Sequence, residues 1–103
     1  MTRAADYAAW IDAYIDQGNV IVGHCRNVCE AMLAEFPELE LRGGFVRTRL
    51  GNDLHYWLRA PSGEIVDPTE AQFGRLRPDD YDDAGTTDTM TLLRRVLIFT
   101  DGP

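Results

Sequence analysis

The sequence predicts an α+β fold with N-terminal helices packed on a small antiparallel sheet. Two stretches before Pro37 carry apolar residues at helical spacing. Between Gly44 and Asp67, short runs of strand-forming residues alternate with turn residues. The tripeptide Pro61-Ser62-Gly63 has the chemistry of a hairpin loop and so sets the pairing of the strands around it. At 103 residues the chain reads as one domain, 1–103, with room for one modest core.

The first helix is expected over residues 4–17. Tyr7, Trp10, Ile11, Tyr14 and Ile15 form its apolar face, with Asp6, Asp12 and Asp16 interspersed. Such an aromatic stripe packs into a core more often than it forms a ligand shelf. Gly18 ends the helix, and Asn19 to Gly23 is a short apolar connection.

The second helix is expected from about His24 to Phe36, where Pro37 stops the pattern. Cys25, Val28, Cys29, Met32, Leu33 and Phe36 share one face. Cys25 then lies in the first turn, facing the sheet, where the positive end of the helix dipole favours a thiolate. Cys29, in mid-helix, reads as a small buried core residue. His24 reads as an N-cap or rim residue, because neighbouring helical side chains point about 100° apart and cannot share one site.

Strands are expected at 44–50, 54–60 and 64–67, with Leu39-Glu40-Leu41 a further candidate strand start. Gly43-Gly44 is expected to be a turn or bulge, and Gly51-Asn52-Asp53 the turn into the next strand. Arg47 and Arg49 fall on the solvent face. In the hairpin, Pro61 presets φ, Ser62 tolerates the second turn position, and Gly63 accepts the left-handed residue that follows. This register sets Ala60 opposite Glu64, Trp57 opposite Asp67, and His55 opposite Thr69. His55 and Asp67 become diagonal neighbours on one face, roughly 7–8 Å apart at the backbone. A one-residue slip would separate them onto opposite faces. Pro68 ends the pairing, having no N–H to donate.

Residues 69–73 are expected to leave the sheet in a turn or short helical turn, with Phe73 plugging the core. The acidic run 79–83 reads as a solvated loop in which Tyr81 could gate a cleft. Thr87 or Asp88 can cap a final segment, 89–99, in which Met90, Leu93, Val96 and Leu97 have helical spacing. The expectation there is a helix followed by a strand over Val96 to Phe99.

Composition narrows the function. A hydrophobic fraction of 45% fits a folded globular protein. A net charge of −7 argues against nucleic acid as a partner. No apolar run approaches the ~20 residues that span a bilayer, and the N-terminus lacks a signal peptide's apolar core. The expectation is a cytoplasmic protein with no membrane or nucleic-acid partner and no cofactor. Two cysteines are too few for a disulfide framework, and a Cys25–Cys29 bridge within a helix is geometrically awkward, so both are expected as free thiols. Cys25, Cys29, His24 and His55 could supply four zinc ligands. Their spacing matches no standard finger and leaves Asp67 unexplained, so no metal is expected.

Cys25, His55 and Asp67 instead form a thiol–imidazole–carboxylate set. His55 would take the thiol proton, and Asp67 would hold the imidazole through its other nitrogen. The backbone N–H of Cys25 is a natural oxyanion donor. A side-chain donor is expected from just upstream, with Asn19 the first candidate and Gln17 the second. Trp57 and Gln72 are expected in the supporting layer, Gln72 by orienting the turn after Asp67 or merely by bonding within it.

The order Gly23-His24-Cys25 at a helix start, His55-Tyr56-Trp57 on a strand, and Asp67-Pro68-Thr69-Glu70-Ala71-Gln72-Phe73 on the next resembles the transglutaminase-like branch of the papain-like cysteine hydrolase superfamily. The likeness is nearest to small YunG-type bacterial and phage proteins, and it covers roughly residues 17–75. It implies a papain/transglutaminase-like core with Cys25 as nucleophile, His55 as base and Asp67 as orienter. His24 stands where the small relatives often carry Gln.

The resulting expectation is cysteine-dependent acyl transfer on an amide of a protein or peptide substrate, as in a protease, deamidase, isopeptidase or transglutaminase. The alternative is a non-catalytic interaction module, such as a phage or mobile-element inhibitor that binds a host protein through its acidic surface.

Overall fold

A computed structural model describes residues 3–100, with side chains described through residue 96. Its three helices are α1 (Ala4–Asp16), α2 (Cys25–Glu35) and α3 (Thr89–Thr100). The strands are β1 (Glu40–Thr48), β2 (Gly51–Arg59), β3 (Ile65–Val66) and β4 (Tyr81–Asp83), paired antiparallel in the order β3-β2-β1-β4. This is the α+β arrangement expected, with a fourth strand added. Among the described residues no helix is long and apolar enough to cross a membrane.

Both N-terminal helices form where the apolar spacing put them. Tyr7 is buried and meets Phe36 edge-on at 5.0 Å, while its hydroxyl donates to Glu38 Oε2 at 2.7 Å. Gly18, at φ 82°, turns the chain out of α1. On α2, Val28, Cys29, Met32 and the flanking Phe36 are buried against the sheet. Cys29, Met32 and Phe36 join Tyr7, Leu39, Tyr56, Leu58, Ala60, Val66 and Leu92 in one core.

The β2–β3 hairpin has the register read from its turn. Leu58 pairs with Val66 and Arg59 with Ile65. The Ala60 N–H donates to the Glu64 carbonyl at 2.9 Å, and the Gly63 N–H to the Ala60 carbonyl at 2.8 Å. Gly63 has φ 89°, a conformation that suits a residue without Cβ. β3 is shorter than the expected 64–67 because pairing stops before Asp67 and Pro68.

Three sequence expectations are corrected. Gly43-Gly44 is no turn; both residues lie inside β1. A Cβ on Gly43 would press on the Thr86 carbonyl at 2.8 Å and on Leu92, and one on Gly44 would collide with the Asp82 carbonyl oxygen. The glycines therefore admit the α3 approach on one face and β4 on the other, a long-range demand invisible in local sequence. Next, the β1–β2 turn is Arg49-Leu50, since Thr48 already pairs with Gly51. The Thr48 hydroxyl takes the Leu50 N–H at 3.2 Å, and Gly51 absorbs the positive φ at 126°. Finally, the acidic run forms a 3₁₀ turn (Pro78–Asp80) and then edge strand β4. Asp83 accepts two hydrogen bonds from Arg42, at 2.6 and 2.9 Å, and Asp80 accepts the Arg77 N–H at 2.9 Å.

The C-terminal segment is also revised. α3 runs through Thr100 with no strand over Val96 to Phe99. Asp88 is its cap, accepting the Thr91 N–H at 3.1 Å and the Thr91 hydroxyl at 2.6 Å.

Alternation gives the sheet two unlike faces. Leu41, Gly43, Tyr56 and Leu58 lie on the helix side, whereas Gly44, Val46, His55 and Trp57 lie on the side of Tyr81. Gly44→Ala is expected to lower stability in urea by about 1–3 kcal/mol, the scale of an overpacked core. The loss should be accompanied by deprotection of the β4 amides in hydrogen exchange, while α2 amides change only with global stability.

Candidate active site

The β2 edge beyond β3 is the place where the chain brings its reactive groups together. Ala60 and Glu64 exchange a ladder bond, so Leu58 and Tyr56, at steps of two, also direct their backbone groups towards the β3 side. Opposite Tyr56 the partner position is Pro68, which extends no strand. The Tyr56 N–H points instead at the Cys25 sulfur. Cys25 is the first residue of α2, whose ladder begins with the Val28 N–H on the His24 carbonyl at 3.0 Å. The thiol thus meets the imidazole around an uncovered sheet edge, although α2 packs on the opposite face from His55.

His55 is fully buried, and its Nε2 lies 2.7 Å from Asp67 Oδ2. The carboxylate can only accept there, so Nε2 carries the proton. Asp67 is held from several sides. Tyr81 donates its hydroxyl to the same Oδ2 at 2.7 Å, and the Thr69 N–H and hydroxyl reach Oδ1 at 3.0 and 3.4 Å. Aromatic rings wall the imidazole. Trp57 stacks near it at 6.1 Å, Phe73 meets it edge-on at 4.9 Å, and Tyr81 packs against Trp57 at 5.1 Å. Phe73, expected to plug the core, is half-buried and plugs the site instead.

The other imidazole nitrogen, Nδ1, is buried and makes no hydrogen bond of ordinary geometry in the resting structure. The Cys25 thiol is the side chain it couples to. Such contacts are often long before substrate arrives and tighten in the reacting complex.

Electrostatics favour a charge-separated pair. Burial pushes the Cys25 thiol up, but His55 and the backbone N–H groups of Tyr56 and Arg26 outweigh it, so the thiol lies below its ordinary value. Burial likewise opposes the His55 imidazolium. Asp67 first and Cys25 second reverse this and raise His55 to about 9. Cys29, one turn further along α2, behaves oppositely. Burial, then the Asp67 and Cys25 charges, push its thiol far up. Burial and Asp67 also push the Tyr81 hydroxyl well above its ordinary range, so it remains a donor.

A cleft of about 580 Å³ opens over the thiol, lined by His24, Cys25, His55, Gln72, Phe73 and Thr89 among others. The upstream candidates for a side-chain oxyanion donor are not in it. Asn19 is exposed and gives its Nδ2 to the Tyr14 carbonyl at 2.8 Å, and Gln17 is an exposed residue closing α1. The reason is that both belong to the end of α1, Gln17 as its C-cap and Asn19 through its bond to the last turn. Gln72 is in the cleft, its Oε1 accepting the Gly23 N–H at 3.3 Å and its Nε2 buried without a hydrogen-bond partner. Trp57 is buried and walls His55 without lining the cleft. His24 holds the N-cap position without a side-chain cap bond and sits exposed on the rim. Tyr81, which the sequence offered as a gate to a cleft, instead lies behind the imidazole as a donor to Asp67 and does not line the cleft over Cys25. Its signal was an aromatic within an otherwise acidic run. Among the described residues no three His, Cys, Asp or Glu side chains gather as a metal site.

Comparison of the chain with protein-family models, with curated proteins and with solved structures gave no match.

Two outcomes follow from this geometry. The lowered Cys25 value keeps thiolate below the ordinary ~8.5 of a thiol, and His55 stays protonated up to about 9. Iodoacetamide should therefore alkylate Cys25 readily near pH 7, well ahead of Cys29, as read by peptide mass spectrometry. In His55→Ala the Cys25 profile should move to higher pH. Separately, Tyr81→Phe keeps the ring contact with Trp57 but removes one donor to Asp67. It should cost about 1 kcal/mol in urea unfolding, the net scale of one hydrogen bond.

Proposed function

We propose that the chain is a cysteine-dependent acyl-transfer enzyme acting on an amide of a protein or peptide, built on a small papain/transglutaminase-like core and working in the reducing cytoplasm. The observation that carries this reading is the placing of His55 between Asp67, which it hydrogen-bonds, and Cys25, whose thiolate it favours. One imidazole nitrogen is fixed on a buried carboxylate, and the other is buried beside a thiol at a helix N-terminus.

The chemistry follows from that arrangement. His55 accepts the Cys25 proton, and the thiolate sulfur attacks the carbonyl carbon. The C=O electron pair moves onto oxygen, within reach of the positive end of α2 and the Cys25 N–H. Collapse breaks the bond to the leaving nitrogen, which takes its proton from the His55 imidazolium, and a thioester remains on Cys25. Water or an amine then attacks, gives its proton to His55, and releases the thiolate. Asp67 holds the imidazole in the tautomer that every step requires.

The non-catalytic alternative relies on the acidic run as a docking surface. Two of its carboxylates, Asp80 and Asp83, are engaged within the chain by Arg77 and Arg42.

p-Nitrophenyl acetate tests the proposal without knowledge of the natural substrate. Wild type should form an acetyl thioester on Cys25, detected by intact and peptide mass spectrometry. Cys25→Ala should form none, and His55→Ala should slow acylation by about 10²–10⁴-fold, the scale of a general base. A wild-type protein that stays unacylated at Cys25 while folded by circular dichroism would sink the idea.

A further inference from the structure

We propose that Gln72 supplies the side-chain donor of the oxyanion hole, its Nε2 acting beside the backbone N–H of Cys25. The inference deepens the acyl-transfer reading and rests on it. Its starting point is an unmet hydrogen bond. Gln72 Nε2 is buried and has no partner. Such groups are rare, because burial removes their hydrogen bonds to water and nothing in the fold replaces them.

The amide's orientation is fixed by chemistry. The Gly23 N–H can only donate, so the Gln72 atom that meets it at 3.3 Å must be the carbonyl oxygen. The NH₂ group is then turned away from the Gly23 N–H, on a side chain that lines the same cleft as Gly23, Cys25 and His55. The backbone fixes it further. Gln72 lies three residues after Thr69 in the same segment as Asp67, and its N–H donates to the Thr69 carbonyl at 3.1 Å. One short segment therefore delivers a carboxylate to the imidazole and an amide to the Gly23 N–H, two residues before the thiol.

Other cleft donors are committed elsewhere or exposed. Arg26 is taken by Glu30, the Thr87 carbonyl and Thr89. His24 and Asn27 are exposed to solvent. Gln72 is neutral, so it adds no second cation to compete with His55 for the thiolate. As sulfur bonds to the carbonyl carbon, the displaced C=O pair makes an oxyanion. Nε2 and the Cys25 N–H hydrogen-bond to that oxygen until collapse restores the carbonyl and expels the leaving group.

The test compares two reactions of one thiol. Acylation by p-nitrophenyl acetate passes through an oxyanion, whereas alkylation by iodoacetamide displaces iodide at a CH₂ and forms none. The ratio of the two rates cancels any change in thiolate fraction. Gln72→Glu keeps an acceptor for the Gly23 N–H and removes the donor; Gln72→Ala removes both. In both variants the acylation-to-alkylation ratio should fall by about 10²–10³-fold, the loss found when an oxyanion donor is removed. A ratio within about threefold of wild type in both would overturn the assignment and leave Gln72 as an anchor for Gly23. A wild-type Cys25 that alkylates but never acylates would overturn the acyl-transfer reading and this assignment together.

Discussion

A carboxylate that is nearly sealed from solvent governs this structure. The Asp67 side chain is only 2% exposed, and such a group is tolerated only when its oxygens are satisfied. Its partners come from separate parts of the chain: His55 on β2, Tyr81 on β4, and Thr69 in its own segment. Each demand propagates. Tyr81 reaches Asp67 only if β4 docks on β1, and β4 docks only because Gly44 has no side chain. Arg42 holds the same edge by gripping Asp83. The most acidic stretch of the chain thus becomes part of the framework around a buried acid.

The same constraint makes the two cysteines different. They lie one turn apart on α2 and share a face, yet their environments pull in opposite directions. Cys25 occupies the helix start, with an imidazole and two backbone N–H groups turned on its sulfur. Cys29 faces only apolar neighbours and negative charge, which disfavour its thiolate. A displacement of about 6 Å along the helix therefore separates a thiol whose thiolate is favoured from one whose thiolate is disfavoured. That separation depends on β3 ending early, because a longer β3 would cover the Tyr56 N–H and close the edge where thiol and imidazole meet.

What the sequence disclosed follows from how local each determinant is. The hairpin register was legible because Pro61, Ser62 and Gly63 define it over three residues, and with it the meeting of His55 and Asp67. The place of Cys25 was legible because helix periodicity and Pro37 bound α2. The glycine pair was misread because its cause is not local: Thr86 and Asp82 press on it from almost forty residues away. β4 was misread because a strand of Tyr-Asp-Asp has no propensity of its own and exists through Arg42 and Asp67. Asn19 and Gln17 were chosen for sequence proximity to Cys25, but both are held at the end of α1, while Gln72 arrives from beyond the hairpin.

The polar bookkeeping of the site closes on one point. Among the described side chains, two buried polar atoms lack a hydrogen-bond partner, His55 Nδ1 and Gln72 Nε2. Both belong to residues that line the cleft over Cys25. Buried orphans scattered through a fold would suggest imperfect packing, and each would be a separate penalty. Here both belong to one cleft. The His55 imidazole and the Cys25 thiol share a proton that their electrostatics place on the ring, leaving the negative charge on sulfur. Nε2 lacks an acceptor, which the proposed acyl transfer would supply as the attacked carbonyl becomes an oxyanion. Under that proposal the two unsatisfied groups are matched to a reacting acyl group, the condition for binding a transition state more tightly than a substrate.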